Sequence, residues 1–173
     1  MTKWNAVPVA LALGFFAASP AEAQVGFGVQ GSWGDDSDLG VGARVVAPVG
    51  HMITADGGSV LAGLKAIGSF DWFFIDCPDG VDCSWIEINA NGAVPLPLEG
   101  FSPYVGAGLN IARISFESEE QGVPGAFDVS DTEVGLNLLG GLDFPLGGLN
   151  AFAEGRFELG GGEQFVVTVG VLF

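Results

Sequence analysis

Glu154, Arg156 and Glu158 alternate in the run Glu154-Gly155-Arg156-Phe157-Glu158. In an extended strand that spacing puts all three side chains on one face. Two carboxylates with a gap between them are the equipment of glycoside hydrolysis. A guanidinium set between them points instead to a salt-bridged row, because Arg engages carboxylates through a planar fork of donors. The other scarce cations follow the same pattern. Arg44 and Lys65 fall on the polar side of alternating segments, and so do Asp71, Glu87 and Glu133. If that side is shut away from water, the charges must pair, since an unpaired buried charge is costly. Arg44, Lys65, Asp71, Glu87, Glu133, Glu154, Arg156 and Glu158 are therefore read as one interior charge network.

Little else in the chain is arranged for catalysis. A hydrolase needs a nucleophile, a base and an orienting acid within reach. The sole histidine, His51, lies in a Gly-rich link with no serine beside it that has a partner, and reads as an exposed link residue. Gly26-x-Gly28 and Gly40-x-Gly42 precede no helix, so they are not phosphate loops. No cofactor motif is present. Cys77 and Cys83 enclose the five residues Pro-Asp-Gly-Val-Asp. In an exported chain such a pair predicts a disulfide-closed loop. A metal or redox pair is the alternative, without histidine support.

Export is expected from the first residues. Lys3 precedes an apolar run from Ala6 to Ala18, and Ala21-Glu22-Ala23 fits a cleavage site. Residues 1–23 are thus read as a signal peptide and 24–173 as one barrel domain. The alternative, an uncleaved anchor, needs about 20 apolar residues, more than the run supplies. The leader holds one base, Lys3, and one acid, Glu22, so its removal leaves the net charge of −16 unchanged. Such a charge repels nucleic acid and suits divalent cations. A mean hydropathy of +0.46 argues against a disordered acidic chain.

The elements that position these residues are strands. Phe165, Val167, Val169, Val171 and Phe173 form one apolar face of the last segment, against Gln164, Thr168 and Gly170. Period-two alternation marks a strand, and about 9–11 such residues cross a bilayer at a tilt. The pattern recurs in eight segments: Val25–Trp33, Leu39–Ala47, Leu64–Phe74, Ser84–Val94, Pro103 to Phe116, Thr132–Leu142, Leu149–Leu159 and the last one. The links sort into two sets. Those after the odd segments carry Asp35, Asp36, Asp38, Asp76, Asp79, Asp82, Glu117, Glu119, Glu120, Asp128, Asp131 and Glu163. Those after the even segments are rich in proline and poor in acids. Long loops on one side and short turns on the other are the habit of membrane barrels, although the first even link, with Pro48, Gly50 and His51, is longer than that habit allows.

Alternation alone does not say which face is inside. The polar parity is crowded with glycine (Gly26, Gly28, Gly40, Gly42, Gly106, Gly108), which suits a cramped lumen. The apolar parity carries aromatics near strand ends, including Trp33, Phe70, Trp72, Phe74 and Phe157, where barrel girdles place them. The expected fold is all-β, an eight-stranded antiparallel up-and-down transmembrane β-barrel, with apolar side chains toward lipid. Arg113 breaks the parity and is placed to snorkel to a headgroup.

The segments Phe101-Ser102-Pro103-Tyr104-Val105-Gly106-Ala107-Gly108-Leu109 and Leu149-Asn150-Ala151-Phe152-Ala153-Glu154-Gly155-Arg156-Phe157, with the terminal Phe173, resemble the small outer-membrane β-barrel proteins of Gram-negative bacteria, the OmpA/OmpX-like and opacity-type group. The resemblance implies export to the outer membrane and lipid and lipopolysaccharide as surroundings. It also implies a C-terminal signal for the barrel-assembly machinery, carried here by Phe165, Val167, Val169, Val171 and Phe173. The expected function is non-enzymatic: a monomer serving envelope structure or surface interaction through acidic extracellular loops, which could hold divalent cations weakly. A narrow porin-like channel is the alternative, and a lipid-modifying enzyme a more distant one.

Overall fold

Alternation of β-branched and aromatic residues with glycine and polar residues gives eight strands in the computed structural model, which describes residues 25–53, 60–78, 81–96, 98, 102–118 and 128–173. They are β1 (Gly26–Gly34), β2 (Asp38–Pro48), β3 (Lys65–Phe73), β4 (Asp82–Pro95), β5 (Ser102–Glu117), β6 (Asp128–Leu146), β7 (Leu149–Leu159) and β8 (Phe165–Leu172). Each pairs antiparallel with its neighbour in sequence. β1 also pairs with β8, from Gly28 opposite Leu172 to Gly34 opposite Val166, which closes the barrel. Closure leaves no open edge around the ring, so the backbone is satisfied without water. Residues 1–23, expected to be a signal peptide, lie outside the described residues.

Turns are as tight as their residues permit. Gly147 and Gly148 join β6 to β7 with φ of 58° and 96°, a left-handed geometry that glycine adopts without strain. The link from β7 to β8 runs through Gly160, Gly161 and Gly162, all at positive φ.

Several strands run beyond the alternating segments, β4, β5 and β6 among them. β4 starts at Asp82, so Cys83 belongs to it, and β6 runs from Asp128 to Leu146. Glu117, Asp128 and Asp131 therefore sit in strands, not in a loop. Segments standing in water need no apolar face, so their strand character leaves no trace in the hydropathy. The long first link also has structure. It contains α1 (Gly50–Ile53) and a 3-10 turn (Val60–Gly63). It is tied down by Val49 N–H donating to the Leu64 carbonyl at 2.9 Å, and the 3-10 turn packs on β4. His51 is exposed on α1.

The burial pattern is the inverse of a soluble protein. Val29, Val41, Phe70, Ile88, Leu109, Leu136, Phe157 and Val169 are exposed, while Arg44, Asp71, Glu87, Glu154, Arg156 and Glu158 are buried. Every strand contributes to the apolar exterior. A hydrophobic belt of this extent is stable only in contact with lipid, so the molecule is built to span a bilayer with strands. Aromatics occupy the belt as expected: Trp33, Phe70, Trp72, Phe74, Phe157 and Phe173 are exposed. Phe165 packs on Phe157 with ring centroids 4.6 Å apart.

Candidate functional site: a filled lumen beneath an acidic loop end

The lumen has three layers. Nearer the end with both termini, Arg44 of β2 meets Glu154 of β7, Nη2 to Oε2 2.6 Å. Tyr104 of β5 donates its hydroxyl to the same carboxylate oxygen at 2.8 Å and accepts from Arg44 at 3.2 Å. The Arg44 guanidinium also lies over the Phe152 ring, 4.1 Å from its centroid. Lys65 pairs with Asp143 and stands 4.2 Å over the Tyr104 ring. Glycine makes room for that tyrosine: a Cβ on Gly141 would lie 2.5 Å from its Cζ.

The middle layer is built of amides. Asn137 Nδ2 donates to Asn89 Oδ1 at 2.8 Å and to Asn91 Oδ1 at 2.9 Å. Asn110 Nδ2 donates to the Gly161 carbonyl at 3.2 Å.

Toward the loop end, Arg156 ties three strands together. Its Nε lies 2.7 Å from Glu158 Oε1 and its Nη2 3.1 Å from Glu87 Oε2, with Asp71 Oδ2 at 3.9 Å. Neutral donors take the other oxygens. Trp85 Nε1 and Gln164 Nε2 donate to Glu87 Oε1 at 2.9 and 2.6 Å. Gln30 Nε2 and Ser32 Oγ donate to Asp71 Oδ1 at 2.7 and 2.8 Å. Gln164 is anchored in turn, since Ser37 Oγ donates to its Oε1 at 2.7 Å.

Of the residues expected in the charge network, Asp71, Glu87, Arg156 and Glu158 meet in one cluster. Arg44 and Glu154 form a second, and Lys65 joins Asp143 beside it. Glu133 stands apart and exposed. Its strand continues past the last β6–β7 pair, Leu136 with Leu159, so Glu133 lies above the closed ring, in water. The alternation did not single out Tyr104, Gln164, Trp85, Asn137 or Asp143 as partners. All five share the cations' parity, and that was the available signal.

This arrangement fills the interior. Arg156, Tyr104, Phe73, Phe152, Glu87, Asn89, Asn110 and Asn137 are all buried to within 2%. Glu154 and Glu158 each face an arginine and are closed to solvent, so they offer a sugar no approach.

At the loop end, Cys77 and Cys83 are disulfide-bonded, with Cα atoms 6.1 Å apart. Asp36, Asp38, Asp76, Asp82, Glu117, Asp131 and Glu163 are exposed around the rim. Asp35 accepts the Phe165 N–H at 2.8 Å, fastening the first loop to β8. Asp79, Glu119 and Glu120 lie outside the described residues, and among the described residues no three His, Cys, Asp or Glu side chains converge on a metal-sized site. Arg113 is exposed on the lipid-facing parity, its Nη2 3.5 Å from Ser130 Oγ.

No protein-family model and no curated protein matches the sequence. Solved structures do match the fold. The N-terminal β-barrel domain of Pseudomonas aeruginosa OprF is similar with a TM-score of 0.57 at 16% identity, over 88% of this chain and 100% of that one. Neisserial surface protein A gives 0.53 at 16% identity, over 88% and 97%. A major outer membrane protein from Thermus thermophilus gives 0.54 at 13% identity, over 87% and 99%. The fold is thus that of the small eight-stranded outer-membrane barrels.

Proposed function

We propose that this chain is an integral outer-membrane barrel without a catalytic role, which anchors an acidic surface outside the cell. One observation carries the reading: the apolar side chains point outward on every strand while Arg44 and Arg156 are buried in the lumen. The acidic rim stands at the end opposite both termini. In an outer-membrane barrel that end faces outward. The outward row Phe165, Val167, Val169, Val171 and Phe173 is the stretch proposed for recognition by the assembly machinery.

The test is localisation together with surface access. Cells expressing the chain should retain it in the outer-membrane fraction. It should run faster unboiled than boiled in detergent gels, and a cysteine placed at Asp36 should react with an impermeant maleimide on intact cells. A soluble periplasmic protein that runs the same boiled and unboiled rejects the proposal. The filled lumen supports a plug rather than a pore. Planar bilayers holding the folded protein should give a flat trace, and steady single-channel steps would favour the channel reading.

A further inference from the structure

Along the outward parity of the eight strands, residues are apolar or glycine almost throughout. The polar exceptions gather toward the loop end of β4, β5 and β6, and the register sorts them into rows. Arg113 stands opposite Thr132. Ser84, Ser115 and Ser130 are paired side by side in the next row. Asp82 opposes Glu117 in the row beyond, with Asp128 next to it in register. Asp131 and Glu133, also exposed, take the opposite parity.

Arg113 differs from the other cations in two ways. Arg44, Lys65 and Arg156 are each paired with a carboxylate, whereas among the described residues Arg113 forms no ion pair. Its side chain also climbs. Thr132 is its register partner, yet Nη2 lies 3.5 Å from Ser130 Oγ, one outward position nearer the loop end. The guanidinium thus stands level with the serine row and away from Ile111 and Val134, the exposed apolar residues next below it on β5 and β6. A long cation at the edge of hydrocarbon lifts its head into the polar layer in this way.

We propose that Arg113, with the hydroxyls of Ser115, Ser130 and Thr132, binds the phosphate of an outer-leaflet lipid whose chains lie along Ile111, Val134 and Leu136. The inference rests on the reading that the loop end faces outward. A guanidinium offers a planar fork of N–H donors and the hydroxyls offer more, the set that phosphate oxygens accept. Exposed apolar side chains directly beneath suit the chains. The acids decide between a lipid and an anion from solution. Asp82 and Glu117 are exposed about 7 Å nearer the loop end than the serine row, two residues along the strand. A soluble anion would have to pass them, in a chain of net charge −16. A lipid phosphate reaches Arg113 sideways, in the plane of the membrane, and stays below that row.

The probe is lipid A carrying its phosphates, titrated into the folded barrel in micelles of an uncharged detergent at about 0.15 M salt. Lipid A stripped of phosphate and inorganic phosphate are the controls. Nitrogen-15 NMR reads the Arg113 side-chain Nε–H and the Ser115, Ser130 and Thr132 amides. The phosphorylated lipid should shift these signals saturably, and each control should need a concentration roughly tenfold higher or more. Arg113→Gln should weaken the lipid to the same extent and keep the gel shift of the folded barrel, because Arg113 is exposed and outside the lumen. Equal binding by Arg113→Gln overturns the site. Equal binding of the stripped lipid shows that the chains alone are held and overturns the phosphate. Equal shifts from inorganic phosphate overturn the lipid as its source. A loop end inaccessible on intact cells overturns the outward reading and with it the outer leaflet, a result separate from the micelle titration.

Discussion

Arg44 Nη2 lies 2.6 Å from Glu154 Oε2, and the two residues come from β2 and β7, three places apart around the ring. The pair is a strut across the lumen, with the Tyr104 hydroxyl bonded to both ends. Removing one end leaves the other charged and closed to water. Arg44→Ala should cost about 3–5 kcal/mol, the usual penalty for orphaning a buried charge. The double variant Arg44→Met with Glu154→Leu should recover most of that loss, because it removes both charges and keeps volume. Urea unfolding from lipid vesicles, followed by tryptophan fluorescence, measures both. A double variant as unstable as the single one would show that the strut is not what holds these strands.

Gly141 and Gly140 form a second test, since adjacent strand residues face opposite ways. A Cβ on Gly141 would meet the Tyr104 ring at 2.5 Å, while one on Gly140 meets only a backbone oxygen at 3.8 Å. Gly141→Val must therefore displace Tyr104 and break its bond to Glu154. The expected cost is about 1–3 kcal/mol, typical of overpacking. Gly140→Val adds a methyl-bearing side chain to the lipid-facing surface and should be close to neutral. The same unfolding experiment separates them, and equal effects would contradict the assigned faces.

Which parts of this architecture were legible depends on what each residue answers to. Face assignment was readable because lipid and lumen impose opposite demands on alternate positions. Arg44 and Arg156 share a parity with Asp71 and Glu87, while Val167 and Leu136 take the other. Pairing within the lumen was not readable. That Arg156 meets Glu87 depends on how β7 and β4 are staggered around the ring, and no single segment encodes that. The outer part of β6 was hidden for another reason. Val129 to Asp131 stand in water and answer to neither medium, so their strand looks like a loop. Glu133 was drawn into the lumen by its parity, although the ring closes below it.

The disulfide gives a third prediction. It closes a short loop, with a sequence separation of 6. By loop-closure entropy such a bridge contributes about 2 kcal/mol against the unfolded chain. Cys77 and Cys83 lie at the loop end, outside the ring closed by β1 and β8. The double variant Cys77→Ser with Cys83→Ser should thus fold to a barrel with an unchanged gel shift. Hydrogen exchange should rise at Asp82–Ser84 and not at the lumen strands. Loss of the folded band would mean that the staple is needed for closure.

Val169 tests the inversion itself. It is 56% exposed and pairs with Gly31 on one side and Ala153 on the other, away from both ends of β8. Its neighbour Thr168 is buried, with its hydroxyl 3.2 Å from Ser32 Oγ. If lipid surrounds the barrel, Val169→Arg places a cation at depth in hydrocarbon and should cost about 2–4 kcal/mol. Val169→Leu should cost almost nothing there, because a longer apolar chain is as well solvated by lipid as valine is. In a soluble barrel of the same topology the order would reverse: Arg at an exposed position would be harmless, and Leu would add one more apolar group to water. Unfolding of the two variants from vesicles, alongside wild type, reads the difference directly. A stable Val169→Arg barrel that partitions into buffer without detergent would put the outer face in water and overturn the membrane assignment.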